Sequence, residues 1–297
     1  MAIINFGSLN YDYIYQVPHY VVGNETLRSR NMRRCIGGRG LKQSIVLSRA
    51  GISVCHAGLI GRNGEELKQV LADNFVDTSL LGFCDTIQGH AFIQQLSPTG
   101  EYASVIYGGS NSQLTPEIID RCLENYGKGD FLLVQNEITS IPYLIDTAYD
   151  KGMRIIFNTS PVDEDIFRTA CNKVEWLVMN ELECMEIADC DEITAAFSKL
   201  QTVYPKAGIL LCLADEEGYI AYQNGEVLVQ KSYNDKIANL LDVDHVSIGY
   251  FTAGLTLGYS LAECLELAAK AAAISVSREG GILESCPTMA EVQAFQV

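Results

Sequence analysis

Short apolar runs recur along the chain, separated by stretches in which apolar positions return with helical spacing. The runs Ile3–Phe6, Val54–Gly58, Phe131–Gln135, Arg154–Asn158, Trp176–Met179 and Gly208–Leu213 are mostly apolar, as strands covered on both faces must be. Helical patterns fall at Leu41–Ala50, Glu65 to about Asn74, Ile141–Lys151, Leu182–Ala188, Ala195–Val203 and Phe251–Tyr259. Leu261–Ser277 is Ala-rich and apolar on most faces, which predicts a buried helix. Strands and helices alternating in this order predict an α/β fold built on a mainly parallel sheet.

Two stretches interrupt the alternation. Tyr11–Cys35 and Phe83–Tyr107 carry alternating or β-branched patterns, with hairpin breaks at Gly23-Asn24 and Pro98-Thr99-Gly100. They predict antiparallel strands inserted at about 11–36 and 83–108, forming a lid over the C-terminal edge of the main sheet. With no repeat or composition break, residues 1–297 are expected to form one domain plus this lid.

Composition narrows the function. A formal charge of −16 argues against sequence-independent binding to nucleic acid or an anionic membrane. The basic cluster Arg28, Arg30, Arg33 and Arg34 reads as a solvated strand edge. The ten cysteines form no CxxC pair and read as reduced, mostly buried thiols. The chain opens on a strand and turn, and no apolar run reaches the roughly 18 residues of a membrane span. The expected compartment is the cytoplasm.

Candidate chemistry begins at the end of the first strand. In Gly7-Ser8-Leu9-Asn10-Tyr11-Asp12, an extended chain puts Asn10 and Asp12 on one face. Such a pair suits neighbouring sugar hydroxyls, and it would equally serve a capped turn. Gly37-Gly38-Arg39-Gly40-Leu41-Lys42 follows, a glycine turn that lets backbone approach a ligand and then opens a helix. Glu137 and Asn158 each follow a strand. In Asn180-Glu181-Leu182-Glu183 the outer pair shares a face of a first helical turn, as a capping box or a metal-organising pair would.

These motifs, in this order, resemble the ribokinase-like (phosphofructokinase-B, PfkB) carbohydrate kinase family. Gly37–Lys42 resembles its GGKGxNxA sugar signature, with Lys42 where the family has Asn. Lys42 is longer, charged and only a donor, so it either changes the pocket, toward a phosphorylated, carboxylated or sulfonated ligand, or points to solvent. Asn180 and Glu183 fit the NxxE motif. Cys212, Ala214 and Gly218 fall on the TLGxxG loop, where Cys212 replaces Thr and Ala214 replaces Gly, followed by acidic Asp215, Glu216 and Glu217. Counting back from Phe251-Thr252-Ala253-Gly254-Leu255, the catalytic GAGD turn falls on Val246, Ser247, Ile248 and Gly249. Both glycines and the base Asp are changed. Asp242, Asp244 and His245 lie five to seven residues upstream of Gly249 or nearer, as substitutes for the base or as turn residues. Ala271 to Val292 resembles the family's closing helix, Gly loop and Pro turn.

The resemblance implies a three-layer fold with a β lid, transfer of the ATP γ-phosphoryl to a hydroxyl of a sugar or related alcohol, and Mg²⁺. A monovalent cation and a homodimer through the lid belong to the same expectation. It places Asn10, Asp12, Gly38, Gly40, Lys42 and Glu137 on the substrate. Asn180, Cys212, Ala214, Gly218, Ser247 and Ile248 fall on the nucleotide, and Glu183 on the metal. A missing base costs about 10²–10⁴ in rate, so the expected activity is weak or lost. The alternative is a sugar-binding sensor or partner subunit.

Overall fold

The computed structural model describes residues 1–97, 101–163, 171–213, 218–233, 240 and 242–296. Its main sheet has nine strands: β1 (Ile3–Phe6), β4 (Val54–Arg62), β5 (Leu81–Ile87), β8 (Phe131–Gln135), β9 (Arg154–Asn158), β10 (Trp176–Asn180), β11 (Gly208–Cys212), β12 (Tyr219–Gln223) and β13 (Glu226–Gln230), in the order β13-β12-β11-β10-β9-β8-β1-β4-β5. Pairing is parallel from β5 to β11, and β12 and β13 add an antiparallel hairpin at one edge. A second sheet holds β2 (Asn10–Val17), β3 (Asn31–Gly37), β6 (His90–Leu96) and β7 (Tyr102–Tyr107), in the order β3-β2-β6-β7.

Alternation along the buried strands builds two cores. Ile3 and Leu133 face one side, with α1 (Arg39–Arg49), α2 (Glu65–Asp73), α7 (Val243–Leu257) and α8 (Leu261–Val276). Ile4, Phe6, Leu132 and Val134 face the other, with α3 (Pro116–Leu123), α4 (Ile141–Asp150), α5 (Glu181–Ala188) and α6 (Ile193–Val203). The short α9 (Ile282–Ser285) and α10 (Met289–Ala294) close the C-terminal side. This is the expected three-layer α/β arrangement.

Three expectations need correction. Phe83 belongs to β5 of the main sheet, so the second lid insertion begins at His90. Within the lid, β2-β3 and β6-β7 are antiparallel, while β2 and β6 run parallel because they come from separate insertions. The helix expected over Phe251–Tyr259 begins eight residues earlier, at Val243, with consequences described below. The hairpin break at Pro98-Thr99-Gly100 lies outside the described residues. The arginine cluster ends on β3, an exposed edge strand, where Arg34 pairs with Glu66 at 2.7 Å.

The strand order reverses direction between β1 and β8: the chain moves from β1 to β4 on one side and later from β8 outward on the other. Loops diverge at such a point and leave a crevice at the carboxyl ends of the strands. Ser8–Asn10 follows β1 and Asn136–Glu137 follows β8, so both candidate segments open onto that crevice.

Candidate active site

A layer of buried polar side chains fixes the turn at the start of α1. Asn5 Nδ2 donates to Gly40 O and Ser44 Oγ, each at 2.8 Å. Gln135 Nε2 donates to Asn5 Oδ1 at 2.9 Å and to Gln43 Oε1 at 2.7 Å. His56 contacts Ser44 Oγ through Nδ1 at 2.8 Å and Gly7 O through Nε2 at 3.3 Å. Burial pushes the His56 pKa down to about 4, so the ring is neutral. Each polar residue interrupts an apolar strand or a buried helix face, and the geometry shows why: together they anchor α1 onto β1, β4 and β8.

That anchoring brings backbones together where side chains would not fit. Gly38 has φ +92°, and a Cβ there would meet Ser8 O at 2.6 Å. A Cβ on Gly40 would overlap Gly7 Cα. Gly40 therefore lies beneath the site, permitting it rather than lining it. Glu137 closes the turn from above: it accepts from Ser8 Oγ, from Arg39 N at 3.3 Å and from Arg39 Nε at 3.1 Å.

Over this turn lies a cavity of about 110 Å³ lined by Asn10, Asp12, Gly38, Arg39, Lys42, Glu137, Asp242 and His245, roofed by lid residues such as Ile14, Ile93, Tyr102 and Ile106. Asn10 and Asp12 share a face as the two-residue spacing required. Asn10 Oδ1 accepts from Asn111 Nδ2 at 2.7 Å, and Asn111 Oδ1 accepts from Leu9 N at 3.0 Å. Asn111 was not singled out in the sequence. Its signal is the Gly108-Gly109 turn before it, and Gly109 has φ +52°.

Lys42 does not point to solvent. Its ammonium lies between Asp12 Oδ2 at 3.1 Å and Asp242 Oδ1 at 3.0 Å, with all three side chains largely buried. Burial alone would lower its pKa, but the two carboxylates outweigh this and raise it, so Lys42 stays protonated. Burial raises the Asp12 carboxyl against the pull of Lys42. The expected attraction for an anionic ligand is thus corrected: two protein carboxylates already neutralise this ammonium. The contact to Asp242 is an ion pair without an aligned hydrogen bond at Oδ1.

A second cavity, of about 310 Å³, adjoins the first across Tyr102. Asn180, Cys212, Gly218, Tyr219, Val243, Asp244, Ala272 and Val276 line it. Asn180 and Glu183 form a reciprocal capping box: Glu183 N donates to Asn180 Oδ1 at 2.9 Å, and Asn180 N donates to Glu183 Oε2 at 3.0 Å. Among the described residues no cluster of three acidic, His or Cys side chains is poised to hold a metal. Burial raises the Cys212 thiol well above its usual range, with Asp244 and Glu183 adding to it. Asp244 opens into the cavity, but crowding by protein atoms still raises its carboxyl, Arg39 opposing and Glu183 reinforcing. Ala214 lies outside the described residues, as do Asp215, Glu216 and Glu217.

The start of α7 separates the two cavities. Val246, Ser247, Ile248 and Gly249 lie inside this helix, all buried, and none lines either cavity. Val246 N donates to Asp242 O at 3.1 Å, so helical bonding has begun before these residues. Ser247 Oγ bonds Tyr219 Oη at 2.7 Å and Val243 O at 2.9 Å. Gly249 packs on α1, where a Cβ would overlap Val46. The group that reaches the first cavity here is Asp242, beside His245. The His245 Nδ1 has no partner, and burial, then Lys42 and Arg39, push its pKa far down, leaving it neutral.

An α/β sheet with a β lid over two adjoining cavities, one at the switch point and one beyond the ends of β10 and β11, is the architecture of a sugar-kinase fold. Residues 2–289 match the pfkB family carbohydrate kinase pattern, and the chain belongs to that family. It is 25% identical to a ribokinase of Haemophilus influenzae over 301 residues, covering 97% of this chain and 96% of that one. The structure of a ribokinase from Cryptococcus neoformans var. grubii in complex with ADP superimposes with a TM-score of 0.88 at 27% identity, covering 99% and 98% of the two chains. An Arabidopsis thaliana ribokinase complexed with ribose and ATP shares the fold, with a TM-score of 0.83 at 20% identity, covering 99% and 98%. All ten cysteines are free and seven are buried. Among the described residues no helix is long and apolar enough to cross a membrane.

Proposed function

We propose that this chain is an ATP-dependent carbohydrate kinase that binds a sugar or related alcohol in the first cavity and a nucleotide in the second, with phosphotransfer that is weak. The meeting of the two cavities at Tyr102 and the start of α7 carries this reading. Asn10, Asp12 and Gly38 line the first cavity together and offer donors and acceptors to sugar hydroxyls. The ligands of two fold neighbours, ribose in the Arabidopsis thaliana ribokinase and inosine in a Burkholderia thailandensis nucleoside kinase, are of this class.

In the second cavity, Ala272 and Val276 supply an apolar wall for a base, and Asn180, Cys212 and Gly218 border the phosphate path. ATP would bring the phosphoryl group, and Mg²⁺ would offset its charge. Asp244 lines this cavity and feels the negative charge of Glu183, so these are the carboxylates that would hold Mg²⁺ through water. Their negative charge makes the ion a requirement for polyphosphate binding.

The reason for weak transfer is the closed helix across Val246–Gly249. If these positions correspond to the family's GAGD turn, their N–H groups are committed to helical bonds, and Gly249 offers no carboxylate. A sugar-binding sensor without turnover is the second reading, favoured by the same helix. The outer face of the lid, where Tyr13 stacks on Phe92 at 5.6 Å and Phe92 and Tyr107 are exposed, is the surface that would support a homodimer.

Calorimetry with D-ribose, D-fructose and inosine, each with and without Mg-ATP, tests this reading. Binding of one polyol and, separately, of Mg-ATP, with turnover below roughly 1 s⁻¹, is the expected result. Polyol binding with no response to Mg-ATP selects the sensor. Turnover at ordinary kinase rates would refute the assignment of weak transfer.

A further inference from the structure

We propose that Asp242 takes the proton from the acceptor hydroxyl in this chain, with Lys42 as its positioning residue. The inference rests on the kinase reading above and deepens it. Four consecutive residues divide between the cavities: Asp242 and His245 line the first, Val243 and Asp244 the second. Asp242 therefore stands at the boundary where an acceptor oxygen in one cavity and a phosphoryl group in the other must meet.

Three further observations point to this carboxylate. Asp242 occupies the N-cap of α7, yet its side chain makes no capping hydrogen bond, so it is left for the cavity. Lys42 reaches it from α1 at 3.0 Å and is itself fixed by Asp12 on β2 at 3.1 Å, so three separate elements hold its position. His245, one turn later, presents a buried Nδ1 without a partner to the same space. A ligand hydroxyl between them would be oriented by both. Asp244 is less suited, because it faces the second cavity and Glu183.

In the step itself, the acceptor O–H bond breaks and its proton passes to the Asp242 carboxylate. The acceptor oxygen bonds the γ-phosphorus of a nucleoside triphosphate, the bond from that phosphorus to the β–γ bridging oxygen breaks, and the nucleoside diphosphate leaves with that electron pair. Phosphoryl transfer draws most of its acceleration from positioning and charge, so a carboxylate held in an ion pair can serve here. The first three N–H groups of α7 precede Val246, whose N–H is the first to donate within the helix, to Asp242 O.

The test uses the full chain with Mg-ATP and the panel of D-ribose, D-fructose and inosine, measuring Kd by calorimetry and sugar-phosphate formation in single turnover. Asp242→Asn should lower the transfer rate about 10²-fold or more, with polyol Kd changed less than about threefold. Lys42→Met should lower the rate by more than it raises KM, and Lys42→Arg should restore part of the rate, which a purely structural lysine would not do. Should Asp242→Asn fail to fold, Asp242→Glu keeps the charge and should reduce the rate without raising Kd. An Asp242→Asn rate equal to wild type overturns the proposal. Wild-type binding of polyol and Mg-ATP with no transfer also overturns it, while leaving the binding reading intact. Failure of every ligand to bind refutes both.

Discussion

Two helices enter this site in opposite ways. The chain approaches α1 through Gly37, Gly38 and Gly40, and the turn stays open because Gly38 adopts a positive φ and Gly40 lets Gly7 approach. It enters α7 through Val243 to Ile248, where no glycine stands before Gly249 and Val246 and Ile248 are β-branched. Helical bonding is then the cheapest way to satisfy the backbone, and it runs from Asp242 onward. One entrance remains a cradle and the other becomes a rod, and the difference lies in where glycines stand rather than in overall hydrophobicity. A carboxylate, Asp242, replaces open backbone at the second entrance.

The contrast can be broken at several points. The largest effect is expected from Lys42→Met, which leaves Asp12 and Asp242 buried without their counter-ion and should cost about 3–5 kcal/mol in urea unfolding. Gly249→Asp should be comparably destabilising, because the new side chain drives a charge into Val46. It should also fail to raise transfer activity, although a count along the motif would nominate it as a repair. Gly40→Ala sharpens the other side: its methyl would overlap Gly7 Cα, costing about 1–3 kcal/mol and weakening polyol binding.

A titration gives the next size of effect. His56 is held neutral with a pKa of about 4, against about 6.5 in an unfolded chain. The unfolded state therefore binds a proton that the folded state refuses, so stability falls as pH drops from about 6.5 to about 4, by up to about 3 kcal/mol. His56→Gln should flatten urea stability over that window. The smallest effect is Asn180→Ala, which removes the α5 cap and should cost about 1 kcal/mol. A larger loss of Mg-ATP affinity in that variant would show that Asn180 serves the nucleotide as well.

Much of this was legible in the residues. The apolar runs marked β1, β8, β9, β10 and β11 because strands buried on both faces leave that signature. The spacing of Asn10 and Asp12 foretold their shared face, and the glycines foretold the turn at α1. The partner of Lys42 was not legible, since Asp242 lies 200 residues away and its neighbourhood read as a turn. The early start of α7 was missed for a related reason: Val, Asp, His and Ser are indifferent helix formers, and packing on α1 and α8 decides their state. The ladder of Asn5, Gln43, Ser44, His56 and Gln135 was visible only as single polar residues in apolar runs.

Hydrogen exchange at the amides of Ser247, Ile248 and Gly249, resolved by NMR, tests the account most directly. Interior helical amides should be protected to about the level of Ala253 in the middle of α7. Exchange near the rate of an open loop would mean that the turn is available to phosphate, and that the weak-transfer reading and the role assigned to Asp242 are wrong.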